Sequence, residues 1–385
     1  MTVINIPKKV NTLIQKLETA GFEAFVVGGC VRDALLGKTP KDWDITTNAT
    51  YDQILNCLGD DVFVLPIANA KEHNVCIVSF EHERFEIATY RTDLESTDHR
   101  HALTATANRL SDDLSRRDFT VNALAYNDRT GLIDLFNGQK DIKDKVIRAV
   151  GNPEDRITED ALRILRAFRF ASQFGFNLES TLKEVCMTRF EEVQFCSKER
   201  QRDEINKVLT KEIKNFEAAK KVLSLVNSVT DETLTKINRT TDLEVKWALI
   251  LRNTDARSQL KKFKFDSTFS RQVQTVLAAE NTSFETKVDI KRFLIKEDPE
   301  VFELVREFRR VIDNPITIPD IDVQQAFDEP HRLIQLAVNG HDVRSFGFEG
   351  IEVGTILFEL LNQVVEKPEL NTRENLLRLI EERRL

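Results

Sequence analysis

The sequence predicts a mixed α/β fold for about the first third of the chain and an all-helical fold for the rest. In the first part, short apolar runs alternate with glycines and polar turns, which is typical of strands joined to short helices. From about residue 138 onward, apolar residues recur at helical spacing almost continuously. Only nine prolines and thirteen glycines interrupt the 385 residues, so the helical part is expected to pack as consecutive small bundles.

The elements of the α/β part follow from local patterns. Apolar residues three and four apart predict a first helix, which Gly21 ends. Gly28-Gly29 separates a short apolar strand from a second helix, which Gly37 closes. The predicted elements are, in order, a helix at 10–17, a strand at 22–27, a helix at 29–36, strands at 42–46, 75–80 and 84–90 with a polar turn at 81–83, and a loop at about 92–108.

Composition narrows the class of protein. Hydrophobic residues make up 41% and charged residues 31% of the chain, which is ordinary for a soluble protein. The five cysteines are an odd number without a CxxC pair, which favours reduced thiols in the cytoplasm over a zinc site or a disulfide framework. The N-terminus lacks the apolar core of a signal peptide, and no stretch is long enough to span a membrane. No obligate protein partner is indicated.

Two aspartates near the N-terminus are the first candidates for chemistry. Asp42 and Asp44 lie in a strand-like run, and residues two apart on a strand point to the same face. Two carboxylates that project together can hold hard cations, which activate a hydroxyl and neutralise a departing pyrophosphate. An isolated DxD is more often a solvated acidic turn, so the context decides.

That context is the glycine turn just upstream. Gly28 and Gly29, between a strand and a helix, allow backbone N–H groups to approach a triphosphate, and a helix N-terminus favours anions. Arg32, one helical turn further, can add a charge-assisted contact to the phosphates. A plain strand-to-helix turn is the alternative for the glycine pair alone. A strand, two glycines, a helix and a strand with DxD within about twenty residues form a much more specific pattern.

These residues resemble a known superfamily. Gly28-Gly29-x-Val31-Arg32-Asp33, followed by Asp42-x-Asp44, resembles the nucleotidyltransferases that include DNA polymerase beta. Within them, the match is to class II tRNA nucleotidyltransferases (CCA-adding enzymes) and the related bacterial poly(A) polymerases. The resemblance implies a head with a polymerase-beta-like palm, built as a mixed sheet plus helices, followed by an all-α neck, body and tail. It also implies that Gly29 and Arg32 bind the incoming nucleotide and that Asp42 and Asp44 carry Mg²⁺.

Two further features extend this resemblance. The stretch 115–123, SRRDFTVNA, is similar to the family's RRDFTxNA block, which implies that Arg117 contacts the nucleotide. Its arginines precede Asp118, a potential N-cap, and could meet phosphate or ribose oxygens at a helix start. As an isolated stretch, it would be a charged helix terminus. Glu86, in a predicted strand, is a possible third carboxylate, and a half-exposed strand glutamate is an equally good interpretation.

The helix predicted at 159–170 carries a means of choosing a nucleotide. Asp160 and Arg163 are three residues apart, so they are expected to project as neighbours. A carboxylate only accepts hydrogen bonds and a guanidinium only donates them. Cytosine and adenine present an amino donor beside a ring-nitrogen acceptor, whereas uracil and guanine present the reverse. One Asp–Arg pair can therefore accept C and A and reject U and G without a template, and the resemblance implies the same role.

Other arginines on this helix could face the triphosphate. Arg166 and Arg169 continue from Arg163 at a spacing of three. The structural alternative is a ladder of salt bridges along the helix, with Glu159 and Arg163 as an i,i+4 pair. In the context of the upstream motifs, the nucleotide-binding interpretation is the stronger one.

Contacts with RNA are harder to assign from the sequence. The net charge of −8 argues mildly against a nucleic-acid partner, but phosphate binding depends on local basic clusters. Such clusters could bind tRNA phosphates or simply be solvated surface. The candidates are Arg200, Lys207, Lys211 and Lys214 near one helical face, and Lys261, Lys262 and Lys264 in a second patch.

The resemblance extends over essentially the whole chain, although only residues 22–48 and 115–170 carry specific motifs. The C-terminal region resembles the tail of bacillar CCA-adding enzymes. Arg100-His101-Ala102 departs from the family, which has Arg-Arg-Pro at that place in the loop involved in switching from C to A addition. The expected domains are a nucleotidyltransferase head at 1–140, a neck with the nucleotide-selecting helix at 141–210, a body at 211–300 and a tRNA-binding tail at 301–385.

The leading hypothesis is the addition of C, C and A to the 3′ end of tRNA from CTP and ATP, with Mg²⁺ as cofactor. A poly(A) polymerase is the nearest alternative, and the absence of a long basic extension disfavours it. A CC-adding or A-adding specialist is another, although the intact loop at 92–108 disfavours a CC-only enzyme. A non-catalytic RNA-binding protein on the same scaffold is a hypothesis from a different class, and the intact acidic and basic motifs argue against it.

Overall fold

A mixed β-sheet lies at the centre of the first of two structural units. The structure, a computed structural model, describes residues 3–66, 70–72, 74–94 and 103–384. The chain divides into the units Met1–Leu225 and Val226–Leu385. The strands are β1 Ala24–Val27, β2 Asp44–Thr47, β3 Phe63–Val64, β4 Val75–Phe80, β5 Glu83–Thr89, β6 Arg91–Leu94, β7 Leu103–Thr106, β8 Leu124–Asn127, β9 Gly131–Asp134, β10 Val146–Ile147 and β11 Asn177–Leu178.

The central sheet has seven strands in the order β3-β4-β5-β2-β1-β8-β9. Its neighbouring strands are antiparallel except for β2 and β5, which are parallel. The strands β6 and β7 form a separate antiparallel pair, and β10 and β11 a short parallel pair. The parallel pair in the middle of the sheet aligns Asp44 with Glu86, so the sheet brings two acidic residues from distant parts of the sequence side by side.

In the described part of the first unit, ten α-helices surround this sheet or follow it. The first helix buries Val10, Leu13, Ile14 and Leu17 against the sheet, as their spacing predicts. The helices are α1 Lys8–Thr19, α2 Gly29–Leu35, α3 Tyr51–Leu58, α4 Leu110–Ser115, α5 Gly138–Asp144, α6 Pro153–Glu159, α7 Leu162–Phe174, α8 Ser180–Thr188, α9 Lys198–Leu209 and α10 Phe216–Leu223.

The second unit is helical throughout its described residues. Its core includes Leu360, Leu361, Val364 and Val365 of one long helix, all buried. The helices are α11 Asp231–Ile237, α12 Leu243–Leu251, α13 Ala256–Lys262, α14 Ser267–Ala278, α15 Lys287–Leu294, α16 Pro299–Val311, α17 Asp320–Asp328, α18 Gly340–Ser345, α19 Ile351–Glu366 and α20 Arg373–Glu382. Within the described ranges, no helix is both long and apolar enough to cross a membrane.

The architecture confirms the predicted fold class, an α/β head followed by helices, and corrects several local predictions. The segment predicted as a loop at 92–108 has β6 at its start and β7 near its end, because Arg91–Leu94 and Leu103–Thr106 pair as a hairpin. The predicted turn at 81–83 is shorter: Glu81 and His82 both have positive φ, which suits a two-residue hairpin turn, and β5 already begins at Glu83.

The boundary between the two units, after Leu225, falls inside the body predicted at 211–300. The four-part division at 140, 210 and 300 therefore stays a prediction. Residues 100–102, which depart from the family pattern, lie outside the described residues.

Candidate active site

The acidic candidates lie together where the inner strand β2 begins beside β5, a place called the sheet edge below. Asp44 is the first residue of β2, and its Cα partner on β5 is Glu86. Asp42 precedes the strand by two residues, so the expectation that both aspartates alternate along one strand is wrong. All three side chains are exposed. The three carboxylates therefore open onto solvent from one edge of the sheet and from the turn that enters it.

At this sheet edge it is unfavourable for the neighbouring carboxylates to be ionised together. Although Asp44 is exposed, the surrounding protein displaces enough water to raise its pKa; Arg117 opposes this effect and Asp42 reinforces it. The pKa of Glu86 is raised too, first by desolvation and then by Asp44, against the influence of Arg91 and Arg117. A cation among the carboxylates would remove this repulsion.

The donor set fits a hard divalent cation. Within the described ranges, no group of three or more His, Cys, Asp or Glu side chains converges closely enough to hold a metal ion by itself. Mg²⁺ commonly binds through one or two carboxylates and completes its shell with water and substrate phosphates. A pair of exposed aspartates in which Asp42 raises the pKa of Asp44 matches that requirement, and Asp44 in turn raises the pKa of Glu86.

The glycine turn lies against Arg117. Gly28 has φ of 79°, and a Cβ there would come within 2.7 Å of Arg117 Nη1. Only glycine combines that backbone conformation with so close an approach. The N–H of Gly28 donates to the carbonyl of Leu124 at 2.9 Å, so it is already used in the fold and does not reach toward a triphosphate as expected. Gly29 begins α2 and lines the cavity described below.

The guanidinium of Arg32 is fixed on all sides. Its Nε and Nη2 donate to Asp33 Oδ1 at 2.9 and 2.8 Å, and its Nη1 donates to Asn122. The guanidinium carbon lies 5.2 Å from the ring centre of Phe170 and 4.7 Å from that of Phe174. Arg32 is therefore a buried, pre-oriented cation, not a flexible surface arginine.

A cavity of about 500 Å³ is lined by the two aspartates and by basic side chains of α2, α7 and α9. It lies within the size range of small-molecule sites. It also contains Cys30, but burial, with help from Asp44, raises the pKa of this thiol to about 11, so it is not a nucleophile at neutral pH. The predicted residues that line the cavity are Gly29, Arg32, Asp42, Asp44, Arg169, Lys207, Lys211 and Lys214.

The second basic motif is organised by an aspartate that the sequence did not single out. Asp113, buried in the first turn of α4, accepts hydrogen bonds from Arg116 Nη2 at 2.9 Å and from Arg117 Nη2 at 3.0 Å. The two arginines outweigh the desolvation of this carboxyl and lower its pKa. Its position three and four residues before the arginines was the available signal.

Asp118, expected to cap a helix, instead lies within a buried charge network. Its Oδ1 accepts from the N–H of Phe119 at 2.8 Å, and its Oδ2 accepts from Arg166 Nε at 2.8 Å. Desolvation alone would raise the pKa of Asp118, but Arg166 and the hydrogen bond from Asn122 hold it at about 2. Because Asn122 also accepts from Arg32, the network reaches the glycine turn.

The charge network around Asp118 also extends from α7 to α9 through Glu204. The carboxylate of Glu204 lies 2.5 Å from Arg169 Nε and 3.9 Å from Arg166 Nη1. Arg166 thus pairs with protein carboxylates, whereas Arg169 pairs with Glu204 and also lines the cavity. Glu204 has no sequence signal other than its place on an amphipathic helix.

The nucleotide-selecting pair differs from the prediction in its local structure. Asp160 is not on the same helix as Arg163: it is extended, with φ of −155°, and connects α6 to α7. Arg163 forms the ion pair with Glu159 that the alternative interpretation predicted, and its Nη2 donates to the carbonyl of Arg116 at 3.0 Å. The carboxylate of Asp160 pairs with Arg200 Nη2 at 2.7 Å.

The two residues remain close in the chain fold despite these separate partners. The N–H of Arg163 donates to the carbonyl of Asp160 at 3.0 Å. Arg163 also contacts the backbone of the basic motif next to Arg117. The beginning of α7 is therefore tied to the glycine turn through Arg117, whose guanidinium lies against Gly28.

The basic residues suggested as RNA contacts lie in different environments in the structure. Lys207, Lys211 and Lys214 line the same cavity as Asp42 and Asp44, whereas Arg200 forms the ion pair with Asp160. The cluster Lys261, Lys262 and Lys264 lies on the surface of the second unit, where all three residues are exposed.

Paired carboxylates beside a glycine turn and a cationic cavity, on a mixed sheet, are the features of a nucleotidyltransferase. Comparisons with known proteins are consistent with this class. Residues 24–148 match the family model described as poly A polymerase head domain, and residues 238–380 match the one described as a putative tRNA nucleotidyltransferase domain 2.

Curated relatives cover most of the chain. A CCA-adding enzyme of Streptococcus thermophilus is 31% identical over 399 residues, covering 97% of this chain and 96% of the relative. One from Staphylococcus aureus is 33% identical over 307 residues, covering 77% of this chain and 76% of the relative. The crystal structure of the Bacillus stearothermophilus CCA-adding enzyme in complex with CTP aligns with a TM-score of 0.81 and 26% identity, covering 98% of this chain and 97% of that one. The chain belongs to the family of CCA-adding enzymes, the tRNA nucleotidyltransferases.

Proposed function

We propose that this protein adds C, C and A to the 3′ end of tRNA, using CTP and ATP and no nucleic-acid template. The observation that carries the proposal is the cavity in which Asp42 and Asp44 face the cationic side chains of α7 and α9. The similarity to CCA-adding enzymes over nearly the full chain supports it. The substrates are tRNA, CTP and ATP, and the site of action is the cytoplasm.

In this proposal, Asp42 and Asp44 hold Mg²⁺, with Glu86 as a supporting carboxylate. Bound Mg²⁺ supplies charge neutralisation for the attacking and leaving oxygens. The terminal ribose hydroxyl of the tRNA attacks the α-phosphate of the nucleotide in line. A new phosphodiester bond forms, the bond to the β-phosphate oxygen breaks, pyrophosphate leaves, and the hydroxyl proton passes to solvent. The chain's own contribution is to hold the reactants in line and to offset their charge.

The nucleotide is held from both sides of the cavity. Gly29 and Arg32 belong to the turn and helix next to the carboxylates, and Arg117 lies against that turn. Arg169 of α7 lines the cavity, and Arg166, one turn earlier on the same helix, is held by Asp118 in the adjoining charge network. Lys207, Lys211 and Lys214 provide further positive charge for nucleotide or tRNA phosphates.

Selection of the base rests on Asp160 and Arg163. The Asp160 carboxylate accepts from the exocyclic amino group of C or A, and the Arg163 guanidinium donates to the neighbouring ring nitrogen. Uracil and guanine would set acceptor against acceptor and donor against donor, which leaves polar groups unpaired. The same two side chains thus serve both nucleotides of the reaction.

The deciding experiment extends three tRNA transcripts that lack CCA, CA or A, each with CTP alone, ATP alone or both. A CCA-adding enzyme adds two C to the first, one C to the second and one A to the third, and completes all three with both nucleotides. Extension that stops after CC, or that occurs only on the transcript lacking A, would identify a partial enzyme.

Two outcomes would overturn the proposal itself. Long poly(A) products from ATP alone on unrelated RNA would identify a poly(A) polymerase. Binding of tRNA without any incorporation of CTP or ATP would identify a non-catalytic RNA-binding protein. In that case Asp42→Ala could change only the binding of tRNA. The matched control for Asp42→Ala is Asp52→Ala. Asp52 is an exposed aspartate of α3 that pairs with Lys71.

A further inference from the structure

Asp42 lies in an irregular segment that leads from α2 into β2. Residues 38–43 have no regular secondary structure, and strand pairing begins only at Asp44. Within the segment, Pro40 and Trp43 are partly buried and the other side chains are exposed. The sheet therefore holds Asp44 directly, whereas the position of Asp42 depends on how its neighbours in the segment are packed.

The segment lies between two cavities. One is the cavity of about 500 Å³ described above, which contains the two aspartates. The other has a volume of about 480 Å³, and the segment contributes Lys38, Thr39, Pro40 and Trp43 to its lining. Because Lys38 and Thr39 line both cavities, the segment forms a wall between them. Side chains that border a void have no partner atoms on that side, so this wall needs support from elsewhere.

Part of the N-terminal strap, defined as residues 3–7, lines the second cavity. Side chains alternate along the strap, so that Ile4 and Ile6 are 4% and 8% exposed and the intervening Asn5 is exposed. The two isoleucines belong to a hydrophobic core of the first unit, and Trp43 packs against the same core. The strap residues that line the cavity are Val3, Ile4, Asn5 and Pro7. Ile4 is therefore anchored in the core and also borders the cavity that Trp43 lines.

Both ends of the segment have anchors of their own. At its start, the N–H of Lys38 donates to the carbonyl of Asp33 at 2.9 Å, and Lys38 Nζ lies 5.1 Å from the ring centre of Phe174. At its end, strand β2 pairs within the sheet. Asp42 lies between these anchors and next to Trp43, so the packing of the indole ring is a direct constraint on where its carboxylate lies.

We propose that the N-terminal strap is a positioning element for the metal site: Ile4 supports Trp43, and Trp43 sets where the Asp42 carboxylate lies relative to Asp44. This inference rests on the proposed function. Mg²⁺ demands near-ideal octahedral geometry, so a small displacement of one carboxylate weakens its binding without any change of charge. Among the described residues, those of the strap do not line the cavity of the aspartates. The strap thus acts through the segment and not by touching the metal or the nucleotide.

The test compares Ile4→Ala with Ile4→Leu. Alanine removes most of the side chain that borders the cavity, whereas leucine keeps its volume and apolar character. The matched control is Ile54→Ala, because Ile54 is a fully buried residue of the same core, on α3, outside the residues that line either cavity. Ile4→Val is a milder truncation of the same side chain and serves where the alanine variant does not fold.

Two readouts separate the metal site from general stability. The first is the Mg²⁺ concentration for half-maximal incorporation of CTP into tRNA that lacks its CCA end, measured together with thermal melting. The second is acrylamide quenching of Trp43 fluorescence in the metal-free protein. For this second readout, Trp247→Phe removes the only other tryptophan of the chain, which lies on α12 in the second unit.

We expect Ile4→Ala to raise the half-maximal Mg²⁺ concentration by about tenfold, the usual scale for losing a residue that orients a metal ligand. The kcat at saturating Mg²⁺ and the KM for tRNA should change little, and Trp43 should become more accessible to acrylamide. Ile4→Val should shift both readouts in the same direction by less, and Ile4→Leu should retain most of the original Mg²⁺ dependence. Ile54→Ala should lower the melting temperature through the cavity that it creates but leave both readouts unchanged.

Three results would overturn the inference. Unchanged quenching of Trp43 in Ile4→Ala would mean that the strap does not support this side chain. Increased quenching with an unchanged Mg²⁺ dependence would mean that Trp43 does not position Asp42. Equal shifts of the Mg²⁺ dependence in Ile4→Ala and Ile54→Ala would make the effect one of general destabilisation. Failure of the proposed function is distinct, because then the unmodified protein would not extend tRNA with CTP and ATP.

Discussion

Two charged regions of the first unit are built on opposite electrostatic principles. At the sheet edge, Asp42, Asp44 and Glu86 are exposed carboxylates, and the pKa values of Asp44 and Glu86 are raised. Around α7, Asp118 and Glu204 are buried carboxylates paired with arginines, and their pKa values are lowered. The first region has an excess of negative charge, whereas in the second each carboxylate is matched by a cation.

This contrast separates chemistry from positioning. Carboxylates that repel one another gain from a metal ion and its phosphate ligand, so the sheet edge is ready to bind what the reaction requires. Carboxylates that already hold guanidinium groups gain little from a ligand, but they fix Arg166 and Arg169 in place. At the sheet edge, loss of a carboxylate charge should therefore abolish activity with little effect on stability. Around α7, loss of a carboxylate charge should destabilise the protein.

The largest expected effect on activity is that of Asp44→Asn. We expect kcat to fall by at least about a thousandfold, because a metal ion's stabilisation of transition-state charge is worth several kcal/mol. The melting temperature should stay the same or rise, since one of the repelling charges is removed. Extension assays and thermal melting measure both, with Asp52→Asn as the exposed control. A large drop in melting temperature would mean that Asp44 belongs to the structural class of carboxylates.

The largest expected effect on stability is that of Asp118→Asn. Breaking a buried ion pair from one side leaves Arg166 without the nearer of its two carboxylates and should cost about 3–5 kcal/mol of unfolding free energy. Denaturant unfolding measures this cost, and Asp144→Asn, in an exposed pair with Lys140, is the control. Equal unfolding free energies for the two variants would contradict the assigned role.

The same pair sets a pH dependence. The pKa of Asp118 is about 2 in the fold, below its ordinary value of 3.8. A lowered pKa means that the stabilisation is complete above about pH 4 and is lost as pH falls toward 2. Asp118→Asn should therefore lose less stability than the unmodified protein over that interval.

An intermediate effect is expected for Arg163→Ala. Loss of the donor that reads the ring nitrogen should reduce discrimination between CTP and UTP by roughly 10- to 100-fold, the scale of one good base contact. Mg²⁺ binding should persist, because Asp42 and Asp44, the carboxylates proposed to hold the metal, stay in place, whereas Arg163 pairs with Glu159 and the backbone of Arg116. Competitive incorporation assays and Mg²⁺ titration measure the two properties, with Arg129→Ala as the surface control. Loss of Mg²⁺ binding would mean that Arg163 has been assigned to the wrong region.

The smallest expected effect is that of Glu86→Gln. If Glu86 supports the metal site from the neighbouring strand, the Mg²⁺ concentration for half-maximal activity should rise by about tenfold, a typical cost for a supporting residue. The kcat at saturating Mg²⁺ should change little. Glu83→Gln, at the first residue of β5 and paired with Lys9, is the control. An unchanged Mg²⁺ dependence would make Glu86 a half-exposed strand residue.

The sequence was sufficient for features that depend on neighbouring residues. Helical spacing identified α1, and apolar runs identified most strands of the central sheet. Continuous periodicity identified the mainly helical remainder but missed the short strand pair β10 and β11 within it. The order of the glycine turn and the two aspartates indicated the class of chemistry. The helix and strand patterns depend on residues a few positions apart, where local geometry determines which side chains lie together. The glycine turn and the aspartates are recognisable because they lie within about twenty residues of each other.

Only the tertiary structure decided which charges pair across long stretches of the sequence. Asp160 was expected beside Arg163, yet its carboxylate is bound by Arg200, forty positions later. Asn122 bonds Arg32 across ninety positions, and Glu204 bonds Arg169 across thirty-five. The physical reason is that a guanidinium can pair with any carboxylate that packing brings near it. The sequence by itself determined the elements and the kinds of chemical groups, and the packing of α9 against α7 determined how those groups are held.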